Sequence, residues 1–249
     1  MNTAAPTPYD AAFYADQSDG SLRSARAVAP LVVELVQPRS VLDVGCGVGT
    51  WLRAFHELGV ENILGIDGDY VDRSKLAIDR ECFRAVDLSN PPDLGRSFDL
   101  AVCLEVGEHL PEKSSAKLVR LLTRSAPAVL FSAAAPGQGG THHVNERWPH
   151  FWRELFRADG FVRLDPIRPR IWRDNRVEWW YQQNIYLFIR ESEVAERPAL
   201  REEFELARRF PFELVHEGVL SPCVRAATFG GAVKALPRLA MQALRRRLS

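Results

Sequence analysis

Residues 41–51 read VLDVGCGVGTW, an apolar, β-branched run that passes directly into three alternate glycines, Gly45, Gly47 and Gly49. A strand of this kind suits a sheet covered on both faces, and the glycines allow a sharp turn at its carboxyl end. The alternation continues along the chain. Short apolar runs at 40–44, 62–66, 82–86, 98–104, 128–132, 161–167 and 184–190 read as strands, and helical spacing appears at 25–36, 50–58, 70–78, 112–124 and 145–158. Strands separated by helices of this length call for right-handed crossovers, so the expected fold is α/β, a doubly wound and mostly parallel sheet.

Composition removes several other classes. Among 249 residues, Lys plus Arg and Asp plus Glu each number 32, so no net field favours nucleic acid as a partner. Hydrophobic residues make up 46% and charged residues 26%, the mixture of an ordinary globular chain. The 4 cysteines, Cys46, Cys82, Cys103 and Cys223, form no Cys-x-x-Cys pair, which argues against a zinc knuckle or a disulfide framework and for reduced thiols in the cytoplasm. Neither a secretory leader nor a run long enough to span a bilayer is legible in the sequence.

In doubly wound sheets the ligand lies beyond the carboxyl ends of the strands. The glycines at 45, 47 and 49 would let a ligand approach the backbone there, and the helix that follows would present amide hydrogens to it. Asp67 closes the second strand and follows Gly45 by 22 residues, a separation suited to a carboxylate that grips ribose hydroxyls. Asp43 stands two residues before the first glycine. A carboxylate there repels a diphosphate and attracts an ammonium, and Thr50 occupies the last glycine position of a dinucleotide fingerprint. These residues favour S-adenosylmethionine over a nicotinamide cofactor.

From residue 9 to 190 the chain resembles the class I S-adenosylmethionine-dependent methyltransferases. LDVGCGVGT is similar to the family's first motif, GIDGDY to its second, FRAVDLSN to its third and FDLAVCLEVGEHLP to its fourth. The resemblance implies a seven-stranded Rossmann-like sheet whose last strand is antiparallel. It assigns Asp43, Gly45, Cys46 and Gly47 to the methionine moiety, Asp67 to the ribose and Gly68 to the edge of the adenine. Asp87 would face the adenine amino group, Leu88 would supply backbone contacts, and Leu104, Glu105 and Val106 would line the cofactor. The segment 9–26 is similar to the lid of such enzymes, with Tyr14 and Arg23 as its candidate contacts.

Methyl transfer from a sulfonium is an in-line displacement, so positioning of the acceptor dominates, and a hydroxyl acceptor must also lose a proton. Histidine is the side chain best placed to take it near neutral pH. Three are candidates: His143 and His142 in FSAAAPGQGGTHHVNERW, which follows the fifth strand, and His109 in the fourth motif. The segment resembles a subgroup of small bacterial methyltransferases with a Gly-Gln-Gly-Gly loop and a His-x-Asn-Glu element, which singles out His143. Asn145 would cap the next helix, with Pro149 in its first turn. The set Glu105, Glu108, His109, His142 and His143 offers ligands to a divalent metal, but no spacing demands one and none is expected.

The connection between strands six and seven should wall the acceptor pocket, with Trp172, Trp179, Trp180 and Tyr181 as flat surface and Arg168 and Arg170 as partners for a carboxylate or phosphate. Residues 1–38 read as an N-terminal lid, 39–191 as the cofactor-binding domain and 192–249 as a helical extension. From Gly218 the chain carries Arg225, Lys234, Arg238, Arg245, Arg246 and Arg247 without an acidic residue, a basic tail open to weak peripheral membrane contact. The leading functional reading is O-methylation of a small metabolite such as a sugar, glycan precursor or secondary-metabolite scaffold. The alternative is a non-catalytic, S-adenosylmethionine-binding regulatory or assembly domain.

Overall fold

A computed structural model describes residues 11–209, with side chains from residue 20 to 207. The chain divides between Glu213 and Leu214 into two units. Everything described below belongs to the first. The basic tail and the side chain of Tyr14 lie outside the described residues.

The elements run α1 (Ala11–Val36), β1 (Ser40–Val44), α2 (Thr50–Glu57), β2 (Asn62–Asp67), β3 (Phe83–Ala85), β4 (Leu100–Leu104), α3 (Glu112–Ser125) and β5 (Ala128–Ser132). They continue with α4 (Pro149–Ala158), β6 (Phe161–Leu164), α5 (Arg168–Ile171), α6 (Trp179–Asn184), β7 (Tyr186–Arg190), α7 (Glu191–Val194) and α8 (Pro198–Arg209). The strands form one seven-stranded sheet in the order β3-β2-β1-β4-β5-β7-β6, and only β7 is antiparallel to its neighbours. This is the doubly wound arrangement with a reversed last strand expected above. Its centre is fixed by the pairing of Asp43 with Gly65 on one side and with Val102 on the other.

Every residue of β1, β4 and β5 is buried, as the continuous apolar runs require of strands covered on both faces. One core joins Ala25, Val28, Ala29 and Val32 of α1 to Trp51 and Phe55 of α2 and to Val41 and Val102 of the sheet. Phe131, Trp152, Phe156 and Phe188 dominate the other, with the Phe156 and Phe188 rings stacked at 3.9 Å. Cys46, Cys82 and Cys103 are free thiols. No helix among the described residues is long and apolar enough to cross a membrane.

Several elements differ from the reading of the sequence. The first helix begins at Ala11, well before residue 25, and tolerates Pro30 within it. No helix forms at 70–78; the segment is a series of turns in which Asp72 Oδ1 accepts the backbone N–H and the hydroxyl of Ser74, a local alternative to helical bonding. The third strand shortens to three residues behind a 3₁₀ turn at Arg80–Cys82. The helix expected from Asn145 begins at Pro149, with Trp148 at its N-cap position and no side-chain cap. Asn145 is drawn into the interior, where its amide donates to Gly107 O at 3.2 Å and Ser115 Oγ at 3.0 Å. β6 ends at Leu164, and residues 179–184, expected to open the last strand only at 184, form α6.

Candidate active site

The carboxyl ends of β1, β2 and β4 open into a cleft of about 660 Å³, lined among others by Asp43, Gly45, Asp67, Asp87, Glu105 and His109. Its floor is the glycine turn. Gly45, Gly47 and Gly49 have φ values of 81°, 53° and 84°, a left-handed backbone that favours glycine. A Cβ on Gly45 would lie 2.3 Å from Val106 Cγ2, so any side chain would push the turn away from β4.

Two carboxylates flank the turn and differ in their partners. Asp67 Oδ2 accepts Gly47 N–H at 2.7 Å, while Oδ1 accepts Gly68 N–H at 2.6 Å and the Tyr70 hydroxyl at 2.5 Å. Asp43 is 3% exposed, and its Oδ2 has no hydrogen-bond partner. Burial, reinforced by the charge of Asp67, pushes the Asp43 carboxyl well above the usual range. An unpartnered buried carboxyl is costly, and an ammonium offers it both a charge and donors. Cys46, Gly47, Gly68, Leu88 and Leu104 also line the cleft. Asp87 is exposed at its rim, with Oδ1 accepting Ser89 N–H at 2.9 Å.

At the tip of β4, Glu105 has a φ of 55°, unusual for a residue other than glycine. Its N–H donates to the Ser132 carbonyl at 3.0 Å. Its carboxylate accepts Gln138 Nε2 at 2.8 Å and Asn184 Nδ2 at 3.1 Å, and Asn184 Nδ2 also donates to Gln138 Oε1 at 2.8 Å. The loop after β5 and the end of α6 thus meet on one carboxylate. Burial raises the Glu105 pKa, against the lowering effect of these donors.

Beyond Glu105, the 3₁₀ turn Gly107–His109 meets the loop that follows β5. The Val144 and Asn145 amides donate to the Glu108 carbonyl at 2.9 and 3.0 Å. This seats the His143 ring edge-on to His109, with centroids 5.0 Å apart. His143 Nδ1 lies 3.0 Å from Glu146 Oε1, and the same carboxylate accepts the Gly137 and Gly139 amides at 2.9 and 2.7 Å. Part of His109 reaches solvent, yet packing around its ring and the neighbouring His143 bring its pKa down to about 4. His142 has a φ of 58° and is exposed, and its backbone hydrogen-bonds His109.

The connection between β6 and β7 contributes less to the cleft than expected. Trp180 and Tyr181 line it, but Arg168, Arg170 and Trp172 do not. Arg168 is 1% exposed, bound to Asp165 at 2.5 Å and to the Gln183 carbonyl at 3.0 Å, with its guanidinium 4.2 Å above the Tyr186 ring. It is a core cation, because Asp165 lies one turn before it. Arg170 pairs with Glu34 at 3.2 Å, and Trp172 lies 6.0 Å from the Arg168 guanidinium. Arg23 is likewise taken by Glu178, and from α1 it is Ser21 that lines the cleft, 3.0 Å from the Thr50 hydroxyl. Ser21, Gln138, Glu146 and Asn184 had not been assigned site roles in the sequence, and Glu108 appeared there only among possible metal ligands in the fourth motif. Gln138 and Glu146 stood in the Gly-Gln-Gly-Gly and His-x-Asn-Glu elements; Ser21 and Asn184 carried no local signal.

A seven-stranded sheet with β7 reversed, a glycine turn after β1 and carboxylates at the ends of β1 and β2 define a class I S-adenosylmethionine-dependent methyltransferase. The comparisons agree. The chain belongs to the methyltransferase domain family, whose model matches residues 17–184. A search of curated proteins gives no match. Among solved structures, the sugar N-methyltransferase KedS8 from Streptoalloteichus is similar at a TM-score of 0.55 and 18% identity, covering 76% of this chain and 98% of that one. CalS10, an amino pentose methyltransferase from Micromonospora echinaspora with bound S-adenosylmethionine, matches at 0.51 and 15% identity over 76% and 100% of the two chains. Magnesium protoporphyrin IX methyltransferase from Synechocystis, with bound S-adenosylhomocysteine, matches at 0.50 and 18% identity over 75% and 90%. The protein is an enzyme of this class, and S-adenosylmethionine is its cofactor.

Proposed function

We propose that the enzyme methylates a small, sugar-sized metabolite, with a hydroxyl as the receiving group. The observation that carries the assignment of the cleft is the buried, unpartnered oxygen of Asp43 beside the Gly45 cradle. Asp43 would hold the ammonium of the methionine moiety, and the turn at Gly45, Cys46 and Gly47 its backbone-facing side. Asp67 would exchange the Tyr70 hydroxyl for the ribose. Gly68, Asp87 and Leu88 would bound the adenine, while Leu104, Glu105 and Val106 line the methionine end. The bound cofactor supplies a methyl group on a sulfonium, the electrophile of the reaction.

The chain's own residues do the rest by placement. Trp180 and Tyr181 offer flat walls to a sugar-sized acceptor, and Glu105, held by Gln138 and Asn184, offers a fixed hydrogen-bond acceptor to it. Removal of a hydroxyl proton is assigned to the corner where His109 and His143 meet, with Glu146 orienting the His143 ring. That two of the similar folds act on sugars supports the size of the acceptor. The experiment is incubation with methyl-labelled S-adenosylmethionine and fractionated metabolites. A labelled small product supports the proposal; tight cofactor binding with no transfer to any fraction would favour the regulatory, non-catalytic reading.

A further inference from the structure

We propose that Glu108, His109 and His143 form a binding site for one divalent first-row transition cation, Mn²⁺, Fe²⁺, Co²⁺ or Zn²⁺, at the acceptor end of the cleft. The ligand atoms these three residues offer all lie within 4.8 Å of one another. An ion with bonds of about 2.1 Å would draw these atoms closer together.

Three further observations point to a ligand. Glu108 is fully buried, 0% exposed, and the side chain it interacts with is the carboxyl of Glu105, a second acid and not a cation. Buried carboxyls are ordinarily paired or bound to a metal. His143 has its Nδ1 against Glu146 at 3.0 Å, which orients the ring and leaves Nε2 for an ion. This is the carboxylate–histidine arrangement that steadies metal-bound imidazoles. Finally, the ligands come from two segments already locked together, since the Val144 and Asn145 amides bond to the Glu108 carbonyl and the Asn145 side chain bonds to Gly107 and Ser115. The site is organised by hydrogen bonds that the ion itself does not have to make.

Two imidazoles and one carboxylate suit the borderline transition cations better than Mg²⁺ or Ca²⁺, which prefer all-oxygen shells. Three protein ligands leave positions open, and His109 lies on the cleft wall. The role of the ion in methyl transfer rests on the function proposed above; its binding does not. With the ion in place the two imidazoles are its ligands and no longer take the proton assigned to them above; an acceptor oxygen in an open position would lose its proton to solvent as the ion draws charge from it. That oxygen would then bond to the methyl carbon as the carbon–sulfur bond breaks and its electron pair returns to sulfur.

The test is titration of the tag-free, metal-stripped full chain with Co²⁺, followed by visible absorption, and with Mn²⁺, followed by its spin resonance. Saturation at one ion per chain is expected. Glu108→Gln and His143→Ala should each weaken binding at least tenfold, and Glu146→Gln by about tenfold, the usual effect of losing a partner behind a ligand. S-adenosylhomocysteine affinity of the same variants reports that the fold is intact. If a variant fails that control, His109→Ala, partly exposed at the cleft wall, replaces it with the same expected loss. Absence of saturable binding of either ion, or affinity unchanged in the variants, would overturn the site. Neither result bears on whether S-adenosylmethionine binds, so failure of the two proposals can be told apart.

Discussion

Gln138 donates its side-chain amide to Glu105 at 2.8 Å, and this bond joins the glycine-rich loop after β5 to the tip of β4. Asn184 completes the arrangement from α6. A carboxylate on a left-handed backbone is thereby held by two neutral amides drawn from segments far apart in the chain. Asn184 is 3% exposed, so its replacement by leucine leaves Glu105 with one donor fewer in a place water reaches poorly. Asn184→Leu should cost about 1–3 kcal/mol, the penalty for stranding a buried polar group. In thermal unfolding that is a drop of several degrees for a chain of this size. An unchanged Tm would mean that Glu105 is not supported by Asn184.

At the other end of the cleft, Asp67 is the carboxylate assigned to the ribose. Asp67→Ala removes acceptors for two backbone amides and for the ribose hydroxyls. S-adenosylhomocysteine binding should weaken tenfold or more, since hydrogen bonds to a charged acceptor are worth roughly 1.5–3 kcal/mol. Calorimetry decides it, and unchanged affinity would remove Asp67 from the site.

Asp43 makes cofactor binding depend on pH. Burial holds its carboxyl well above the ordinary range, so it is protonated in the empty cleft at pH values where an exposed aspartate would be ionised. An ammonium favours the ionised form, so binding expels a proton, and affinity should rise with pH until the raised pKa is passed. Stability of the empty protein runs the other way. It falls as pH climbs from the unfolded carboxyl's pKa to the raised folded one, because the unfolded state releases the proton more readily. Asp43→Asn should abolish the proton release seen by calorimetry in buffers of different ionisation heat and flatten this part of the stability profile.

The glycine loop also seats His143. A Cβ on Gly140 would come within 2.3 Å of His143 Nε2, and the backbone there is not left-handed, so Gly140→Ala moves the ring without straining the chain. Turnover should fall while S-adenosylhomocysteine affinity stays within about threefold. His143→Ala should lower turnover by about 10² to 10⁴, the usual worth of a positioned proton-handling group. Normal turnover in His143→Ala on the true acceptor would leave the residue as a loop anchor.

The sheet was legible because its strands are apolar runs interrupted by glycine, proline and charge, a pattern that burial on two faces imposes within a few residues. The glycine turn and Asp67 were legible for the same reason: their spacing is local to one strand–helix–strand unit. The failures share a different cause. Asn145 looked like a helix cap until Gly107 and Ser115 claimed its amide from another segment. Arg168 looked like an anion receptor, whereas Asp165 and the Gln183 carbonyl turn it into the interior. Asn184 acquires meaning only once the loop after β5 is folded against the β4 tip, and no periodicity records a contact of that range.

The central claim is that this cleft transfers a methyl group from S-adenosylmethionine to a small metabolite. The most direct measurement follows isotope from the labelled methyl group, with wild type and Asp67→Ala compared on a panel of sugars, amino sugars and metabolite fractions. A labelled product of metabolite size is expected, formed in step with S-adenosylhomocysteine by wild type and at least tenfold more slowly by the variant at low cofactor concentration. Label recovered only in protein or nucleic acid, or no S-adenosylhomocysteine formed from cofactor that demonstrably binds, would contradict it.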